Sequence, residues 1–136
     1  TTGYLPGLDE EAGGVLIHGA SLLEAYGRLT EPTISLTLRK SFGGANVLSY
    51  ASGVRFAYPG ARVAPMGVDA AEWVLLGAPL EDEGERACVE RAAFREQWEE
   101  LHGTVQSVAE RGYFDRIIEP RRTRQRLTNA LELLCR

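Results

Sequence analysis

The chain of 136 residues is 44% hydrophobic and 25% charged, a balance typical of a globular protein that folds in water. Its formal net charge of −4 excludes the basic surface that binding to nucleic acid or to an anionic membrane requires. No apolar run approaches the roughly 20 residues that span a bilayer. Cys88 and Cys135 lie far apart without metal-ligand spacing, so we expect no metal site and one reduced, cytoplasmic domain over residues 1–136. Because the chain starts at Thr1 and Met66 is its only methionine, we expect it to begin inside a longer reading frame or to have been cut.

The first predicted element is a helix over residues 9–26. Asp9 is its predicted N-cap, since acids in a first turn interact well with the positive end of the helix dipole. Apolar or small residues recur at helical spacing on one face, formed by Leu16, Ala20, Leu23 and Gly27. We expect this helix and the last helix of the chain to contact another chain. The pair Gly13-Gly14 costs about 1 kcal/mol per glycine against alanine inside a helix, which indicates a close backbone approach there.

The middle of the chain is predicted to contain short strands and one short helix. Alternating apolar and polar residues predict a strand over residues 33–38, and residues 47–51 predict the start of a helix. Two further strands, over residues 54–58 and 62–65, are expected on either side of the Pro59-Gly60 turn. The alternation of strands and helices predicts an α/β fold.

The remainder is predicted to be mainly helical. Asp69, with Glu72 three residues later, forms a capping-box-like start for a helix that carries Trp73. Residues 81–102 predict an amphipathic helix with one apolar stripe, formed by Ala87, Phe94, Trp98 and Leu101. After a short strand at Ile117-Ile118, Pro120 opens a last helix with a predicted buried face, formed by Leu127, Ala130, Leu131 and Leu134.

The segment from Arg39 to Asn46 carries the clearest functional signal. Its glycine pair, Gly43-Gly44, stands between a predicted strand and a predicted helix start. Such a corner exposes backbone N–H groups that can stabilise an oxyanion without any catalytic side chain. An isolated glycine pair more often only turns the chain, so the interpretation depends on the rest of the sequence.

Several segments occur in an order that resembles one known family. The first are Gly3-Tyr4-Leu5-Pro6-Gly7, with Glu11 beyond it, and the helix that begins at His18-Gly19. They are followed by a set of short motifs: Arg39-Lys40-Ser41-Phe42-Gly43-Gly44-Ala45, Ala57-Tyr58-Pro59, Val63-Ala64-Pro65-Met66-Gly67, Ala109-Glu110-Arg111-Gly112-Tyr113-Phe114-Asp115 and Pro120-Arg121-Arg122-Thr123-Arg124. The chain resembles the C-terminal half of the carboxyltransferase (β) subunits of biotin-dependent acyl-CoA carboxylases, of the propionyl- and acetyl-CoA carboxylase type.

The resemblance implies a fold, a reaction and partners. The fold would be a crotonase-like (ClpP/crotonase) spiral of β-β-α units, as half of a carboxyltransferase subunit. The reaction would move a carboxyl group between carboxybiotin on a carrier protein and the α-carbon of an acyl-CoA. The implied partners are a companion N-terminal carboxyltransferase half, which supplies the CoA site, and a biotin carboxylase or biotin carrier subunit. The assembly would be an oligomer, with no nucleic acid and no membrane.

The resemblance also assigns roles to individual residues. The backbone N–H groups of Gly44 and Ala45 would form the oxyanion hole on the biotin side. Substrate-binding residues would be the neighbours Gly43, Asn46 and Val47, together with the loop Tyr4, Leu5, Pro6 and Gly7. Val47 matches a position that contacts the acyl group, and its apolar side chain favours an alkyl substituent. Asn46 stands where the family usually has an aromatic residue.

Other polar residues have simpler interpretations. His18 lies within a predicted helix without a partner acid or nucleophile, so we expect a structural or surface role. His102 precedes Gly103 at a predicted helix end, where a histidine interacts well with the negative end of the dipole. The arginines at 121, 122, 124 and 126 predict a solvated face or a subunit contact. Arg39-Lys40 either supports the anion-stabilising corner or faces solvent at the end of a strand.

Three functions remain open from the sequence. The first is the biotin-side half of an acyl-CoA carboxyltransferase, working with a companion half. The second is a divergent crotonase-type thioester enzyme that works without biotin, as a decarboxylase or in acyl transfer in secondary metabolism. The third is a non-catalytic assembly partner.

Overall fold

A computed structural model describes residues 7–78 and 84–135 of the chain. Along these ranges helices alternate with short strands, and two 3₁₀ turns, Gly44–Asn46 and Pro120–Arg122, lead directly into α-helices. The elements in chain order are α1 (Leu8–Ala12), α2 (Val15–Gly27), β1 (Ile34–Thr37), β2 (Lys40–Phe42), α3 (Val47–Tyr50), β3 (Val54–Ala57), β4 (Arg62–Ala64), α4 (Val68–Leu76), α5 (Glu85–His102), α6 (Val105–Glu110), β5 (Arg116–Ile117) and α7 (Thr123–Leu134).

The strands form two small parallel sheets. One has the order β1-β3-β5, with Ile34 opposite Val54 and Phe56 opposite Arg116, and the other pairs β2 with β4, with Lys40 opposite Arg62. The chain therefore passes through two strand–strand–helix units, β1-β2-α3 and β3-β4-α4. Each strand of the second unit lies parallel to its counterpart in the first, so the units wind as a spiral. This arrangement confirms the β-β-α spiral and the predicted strands, whose ends differ by one or two residues.

Two apolar clusters hold the sheets to the helices. In the first, α6 packs on β3 and β4 and contributes Val105, which is fully buried, and Val108. In the second, α7 packs on the three-stranded sheet, where Phe56, Ile118 and Ala130 meet. Each fully buried side chain of valine size contributes roughly 1.5–3 kcal/mol to folding. The six-residue helix α6 is therefore fixed against the strands, and the residues that follow it are fixed as well.

The first predicted helix is divided in two, which corrects the sequence-based expectation. The helix begins at Leu8 behind Gly7, so Asp9 lies inside the first turn and is not the N-cap. It ends at Ala12, and a new helix begins at Val15 because Gly14 has a φ of 82°. This left-handed conformation suits glycine and interrupts the helix. The glycine pair thus separates α1 from α2.

The predicted apolar face of α2 is largely exposed. Leu16 is 64% exposed and Leu23 is 38% exposed, and Ala20 and Gly27 are also exposed. Gly19 is the one fully buried residue of this helix. The apolar pattern is present, but within ranges 7–78 and 84–135 no element packs over it. A substantial apolar face of α2 therefore points outward.

The helices α4, α5 and α7 depart from their predicted details. Gly67 precedes α4, and neither Asp69 nor Glu72 forms the expected cap, since both carboxylates pair with Arg95 of α5. Helix α5 starts at Glu85, and residues 81–83 of its predicted start lie outside the described residues. Two expected stripe residues, one in α5 and one in α7, are nearly half exposed: Leu101 (49%) and Leu131 (45%). The other stripe residues are buried or half-buried.

Candidate functional site

A glycine corner connects the first unit's second strand to its helix. After β2, Gly43 adopts φ 66° and ψ −155°, a region that is essentially restricted to glycine. Its N–H donates to the carbonyl of Ala64 (3.2 Å), and the N–H of Asn46 donates to the carbonyl of Gly43 (3.1 Å). The N–H groups of Gly44 and Ala45 lie between these two bonds, in the first turn of the 3₁₀ segment. Carbonyl groups of the same helix cannot accept bonds from N–H groups at this position.

A polar network lies beneath the corner. Asn46 is 6% exposed, and its side-chain oxygen accepts hydrogen bonds from the hydroxyl groups of Ser41 (2.6 Å) and Ser49 (3.1 Å). Its amide nitrogen donates to the hydroxyl oxygen of Tyr50 (2.8 Å). Ser49 also donates to the backbone carbonyl of Asn46 (2.7 Å). This single buried amide therefore connects β2, the 3₁₀ turn and α3.

The corner opens into a cavity of about 380 Å³. One part of its wall is apolar and is formed by Val47, Val63, Ala64, Pro65 and Val108. The rest is polar and is formed by Gly43, Gly44, Asn46, Tyr50, His102, Arg111 and Tyr113. The volume and the mixed lining suit a small ligand that has an apolar body and hydrogen-bonding groups at one end.

His102 belongs to this wall, a role that the sequence did not indicate. It ends α5 as predicted, and its ring contacts that of Trp98 at an angle of 50°, with 4.6 Å between ring centroids. Burial, and secondarily the charge of Arg111, lower the pKa of His102 below its usual value. The expected interaction of a charged His102 with the helix dipole is therefore not what the structure favours, since burial stabilises the neutral imidazole.

Two tyrosines of the cavity wall, Tyr50 and Tyr113, contact each other and lie near an arginine outside the wall, Arg55. The rings of Tyr50 and Tyr113 lie 5.5 Å apart at 56°, and the guanidinium of Arg55 lies 5.8 Å from the centre of the Tyr50 ring. Arg55 donates to the carbonyl of Gly112 (3.2 Å), and its backbone N–H donates to the carboxylate of Asp115 (2.7 Å). Burial is the main cause that raises the pKa of Tyr50, so its hydroxyl stays protonated near neutral pH.

The structure brings together most of the predicted site residues. Four of them line the cavity: Gly43, Gly44, Asn46 and Val47. Ala45 lies between them in the 3₁₀ turn. Gly7 precedes α1 and is not among the cavity residues, so its binding role stays a prediction. Tyr4, Leu5 and Pro6 lie outside the described residues. Sequence reasoning missed Tyr50, His102 and Arg111 as lining residues, although Arg111 stands in one of the family motifs.

Other candidate residues lie away from this cavity. His18 is exposed on α2, in agreement with its predicted surface position. Arg39 and Lys40 line a separate, larger groove of about 780 Å³ beside β1 and do not line the cavity at the glycine corner. Two of the basic residues near the start of α7, Arg121 and Arg122, pair with Glu119.

Cys88 and Cys135 are free and exposed. Among the residues that the structure describes, no group of three or more histidine, cysteine or acidic side chains is placed to hold a metal ion. No helix within those residues has the length and apolar character needed to cross a bilayer.

Comparisons with known sequences agree with the geometry. The family described as Carboxyl transferase domain matches residues 1–136. The biotin-dependent acetyl-/propionyl-coenzyme A carboxylase beta6 subunit of Mycobacterium tuberculosis is 41% identical over 137 residues, which cover 95% of this chain and 28% of that protein. The methylmalonyl-CoA decarboxylase subunit alpha of Propionigenium modestum is 35% identical over 97% of this chain and 26% of its own length. The chain thus spans about a quarter of the length of these relatives.

Solved structures show the same similarity. The transcarboxylase 12S structure, described as a hexamer assembly with hydrolysed methylmalonyl-coenzyme A bound, has a TM-score of 0.81 and 33% identity. It covers 97% of this chain and 26% of its own chain. The beta subunit of the geranyl-CoA carboxylase from P. aeruginosa has a TM-score of 0.86 over 99% of this chain and 27% of its own. At 23% identity, this second likeness concerns the fold alone.

Proposed function

Since the chain belongs to the carboxyl transferase domain family and has its crotonase-like fold, we propose that it forms the biotin-side part of an acyl-CoA carboxyltransferase. The observation that carries this proposal is the corner at Gly43. There the backbone N–H groups of Gly44 and Ala45 are free of helical acceptors, and the adjoining cavity has an apolar wall. A companion half on another chain, or elsewhere in a longer protein, would supply the acyl-CoA site.

The residues of the cavity fit a biotin head group. A ureido oxygen accepts hydrogen bonds, and the corner offers backbone donors beside the cavity that Gly43 and Gly44 line. The valines and the proline of the wall suit the apolar face of a bicyclic ring. When bound on its carrier protein, carboxybiotin supplies the activated carboxyl group. The protein holds the ring, excludes water and provides donors for the oxygen on which negative charge develops.

The donors are expected to act through preorganisation. Gly43 is fixed by its bond to Ala64, and Asn46 is fixed by the buried network, so the two N–H groups between them need not reorganise during reaction. Removal of one donor from a comparable oxyanion hole costs roughly 3 kcal/mol of barrier. No side-chain acid or base is required at this corner.

Val47 is proposed to contact the acyl group. It is the first residue of α3, directly after the corner, and its side chain is 44% exposed and lines the cavity. An apolar side chain at that point favours an alkyl substituent on the α-carbon over a polar one. An acyl-CoA with a short alkyl branch is therefore the proposed substrate class.

The exposed apolar surface of α2 supports the proposal that a partner chain binds there. Leu16, Ile17, Leu22 and Leu23 expose between 38% and 72% of their surface on this helix, and Leu133 of α7 exposes 72%. Apolar patches of this kind mark sites of association. We expect a companion carboxyltransferase half to cover α2, and the biotin carrier to reach the cavity from the other side. Sedimentation that gives a stable monomer at micromolar concentration would contradict the first expectation.

The decisive experiment compares two variants in the reconstituted assembly. Gly44→Pro removes one N–H donor, so carboxyl transfer from carboxybiotin is expected to fall about 100-fold or more. His18→Ala changes an exposed histidine outside the cavity and is expected to leave turnover nearly intact. Circular dichroism checks folding, because a proline at a strand end can also disrupt the corner. If a folded Gly44→Pro variant keeps full activity while His18→Ala loses it, a biotin-independent thioester reaction becomes the better proposal. If the unmodified assembly shows no turnover, a non-catalytic role as an assembly partner becomes the better proposal.

A further inference from the structure

The hydroxyl of Tyr50 is a second hydrogen-bond donor in the proposed biotin cavity. We propose that it binds the carbonyl-type oxygen of the ligand and that Asn46 is the positioning residue that directs it. This inference rests on the proposed function of the cavity, which it extends from backbone donors to a side chain. It assigns a role to a residue that the backbone mechanism does not use.

The position of the Tyr50 ring is fixed by contacts on its faces and edges. The ring lies against Tyr113 and near the guanidinium of Arg55. Arg55 is itself held by its bonds to Gly112 and Asp115, and Tyr113 donates its N–H to the carbonyl of Val108 in the buried helix α6. The ring, at the end of α3, is therefore held against the segment that follows α6.

The direction of the hydroxyl follows from its hydrogen bond to Asn46. The amide nitrogen of Asn46 donates to the phenol oxygen (2.8 Å), and two serine hydroxyls hold the amide oxygen on the opposite side. A phenol oxygen that accepts one bond keeps its own hydrogen for a different acceptor. Within ranges 7–78 and 84–135, the hydroxyl of Tyr50 donates to no other group. Because Tyr50 lines the cavity, an acceptor bound there can take this hydrogen.

The chemistry of the neighbouring groups defines the ligand. The backbone N–H of Gly44 and the guanidinium of Arg111 are donors only, and they line the same cavity as Tyr50. A ligand seated here must therefore present acceptors, and its body must fit the apolar wall. A cyclic urea fits both requirements, because its oxygen accepts several bonds in one plane. Burial also raises the pKa of Tyr50, so the phenol remains a donor under physiological conditions.

The experiment measures binding directly, with free biotin as the probe. Lipoate serves as the matched ligand because it shares the valerate chain and a sulfur-containing five-membered ring but lacks the ureido group. Ligand-observed NMR or calorimetry on the full chain gives the dissociation constant of each compound. Tyr50→Phe removes one hydroxyl and keeps the ring that packs on Tyr113.

The expected result is selective. Tyr50→Phe should weaken biotin binding about three- to tenfold, the usual effect of one neutral hydrogen bond, and leave lipoate binding unchanged. Tyr58→Phe is the control, since the hydroxyl of Tyr58 bonds to Thr123 (2.7 Å) away from the cavity. It should lower thermal stability and leave the affinity for biotin unchanged.

Each other outcome overturns a defined part of the proposal. If the unchanged chain prefers biotin over lipoate and Tyr50→Phe keeps that preference, Tyr50 is not a ligand-binding residue, while the proposed function stands. If Tyr50→Phe weakens both compounds equally, its role is structural only. If the unchanged chain shows no preference for biotin, the biotin-side function itself fails, and this inference fails with it.

Discussion

The two strand–strand–helix units share an architecture but differ at the corner where strand meets helix. In the first unit, Gly43 has a φ of 66° and a 3₁₀ turn follows before α3. In the second unit, Gly67 has a φ of −67°, a conformation open to any residue, and α4 begins at once. The first corner lines the cavity with Gly43 and Gly44, whereas Gly67 is not among the residues that line it. The two corners therefore differ in the backbone conformation of one glycine and in their position relative to the cavity.

The two corners are also held by different forces. Neutral hydrogen bonds around Asn46 brace the first corner, while carboxylate–guanidinium pairs around Glu72 anchor the second unit to α5. The network around Asn46 contributes no charged group of its own to the cavity. Ion pairs suit the second unit because α4 only has to be held in place. Four substitutions test this difference, from the largest expected effect to the smallest.

Removal of the ion pairs that anchor the second unit to α5 should cause the largest loss of stability. Glu72→Ala removes a carboxylate whose side chain is 9% exposed and lies 3.2 Å from that of Arg91, which is 13% exposed. Breaking a mostly buried pair typically costs 3–5 kcal/mol, so the free energy of unfolding should fall by about 3 kcal/mol in a urea titration. Glu90→Ala, which removes an exposed partner of Arg86, should cost less than about 1 kcal/mol. Equal losses in the two variants would refute the anchor.

The first corner should show the next largest effect. Gly43→Ala forces a side chain into a region almost reserved for glycine, so the free energy of unfolding should fall by about 1–3 kcal/mol and biotin binding should weaken. Gly67→Ala is the matched control. Its backbone conformation accepts alanine, and a Cβ there would meet nothing within 4 Å, so its stability should stay the same or rise slightly. If the two variants behaved alike, the left-handed corner would have no special role.

The network beneath the first corner should respond more weakly. Ser41 is 3% exposed and donates to the side chain of Asn46, so Ser41→Ala should cost about 1–2 kcal/mol of unfolding free energy. The corresponding change at Ser21, an exposed residue that bonds only to its own helix at Ile17, should cost less than about 0.5 kcal/mol. Thermal denaturation of both variants measures the difference. If Ser41→Ala left the free energy of unfolding unchanged, the network would not brace the corner.

The smallest expected effect is the pH dependence that His102, in the cavity wall, gives to the free energy of unfolding. The pKa of His102 is lowered in the folded chain, mainly by burial, so the unfolded chain binds the proton more readily. The free energy of unfolding should therefore be at its full value above about pH 6.5 and should fall as the pH drops below that value. His102→Gln should flatten this slope. Arg111→Gln should raise the pKa of His102, which NMR of the two histidine rings can follow once His18→Gln assigns them.

Much of the fold follows from local sequence. The alternation over residues 33–38, the turn at Pro59-Gly60 and the apolar spacing of the last helix predict elements that the structure contains. The corner at Gly43-Gly44 is also predictable, because a glycine pair between a strand and a helix start is itself a local signal. Local rules succeed where backbone geometry and neighbouring residues decide the conformation.

Tertiary structure decided what surrounds that corner. The cavity brings His102 and Arg111 to Asn46 from distant parts of the chain, and no spacing rule connects them. Glu72 does not cap α4 as predicted, because its mostly buried carboxylate pairs with two arginines of α5. Charged donors of this kind bind a carboxylate more strongly than the N–H groups of a helix end do. The apolar face of α2 was predicted from the sequence, and the packing of the described residues leaves it exposed. The sequence thus determined the strand–strand–helix repeat and its glycine corner, whereas long-range packing decided which side chains line the cavity.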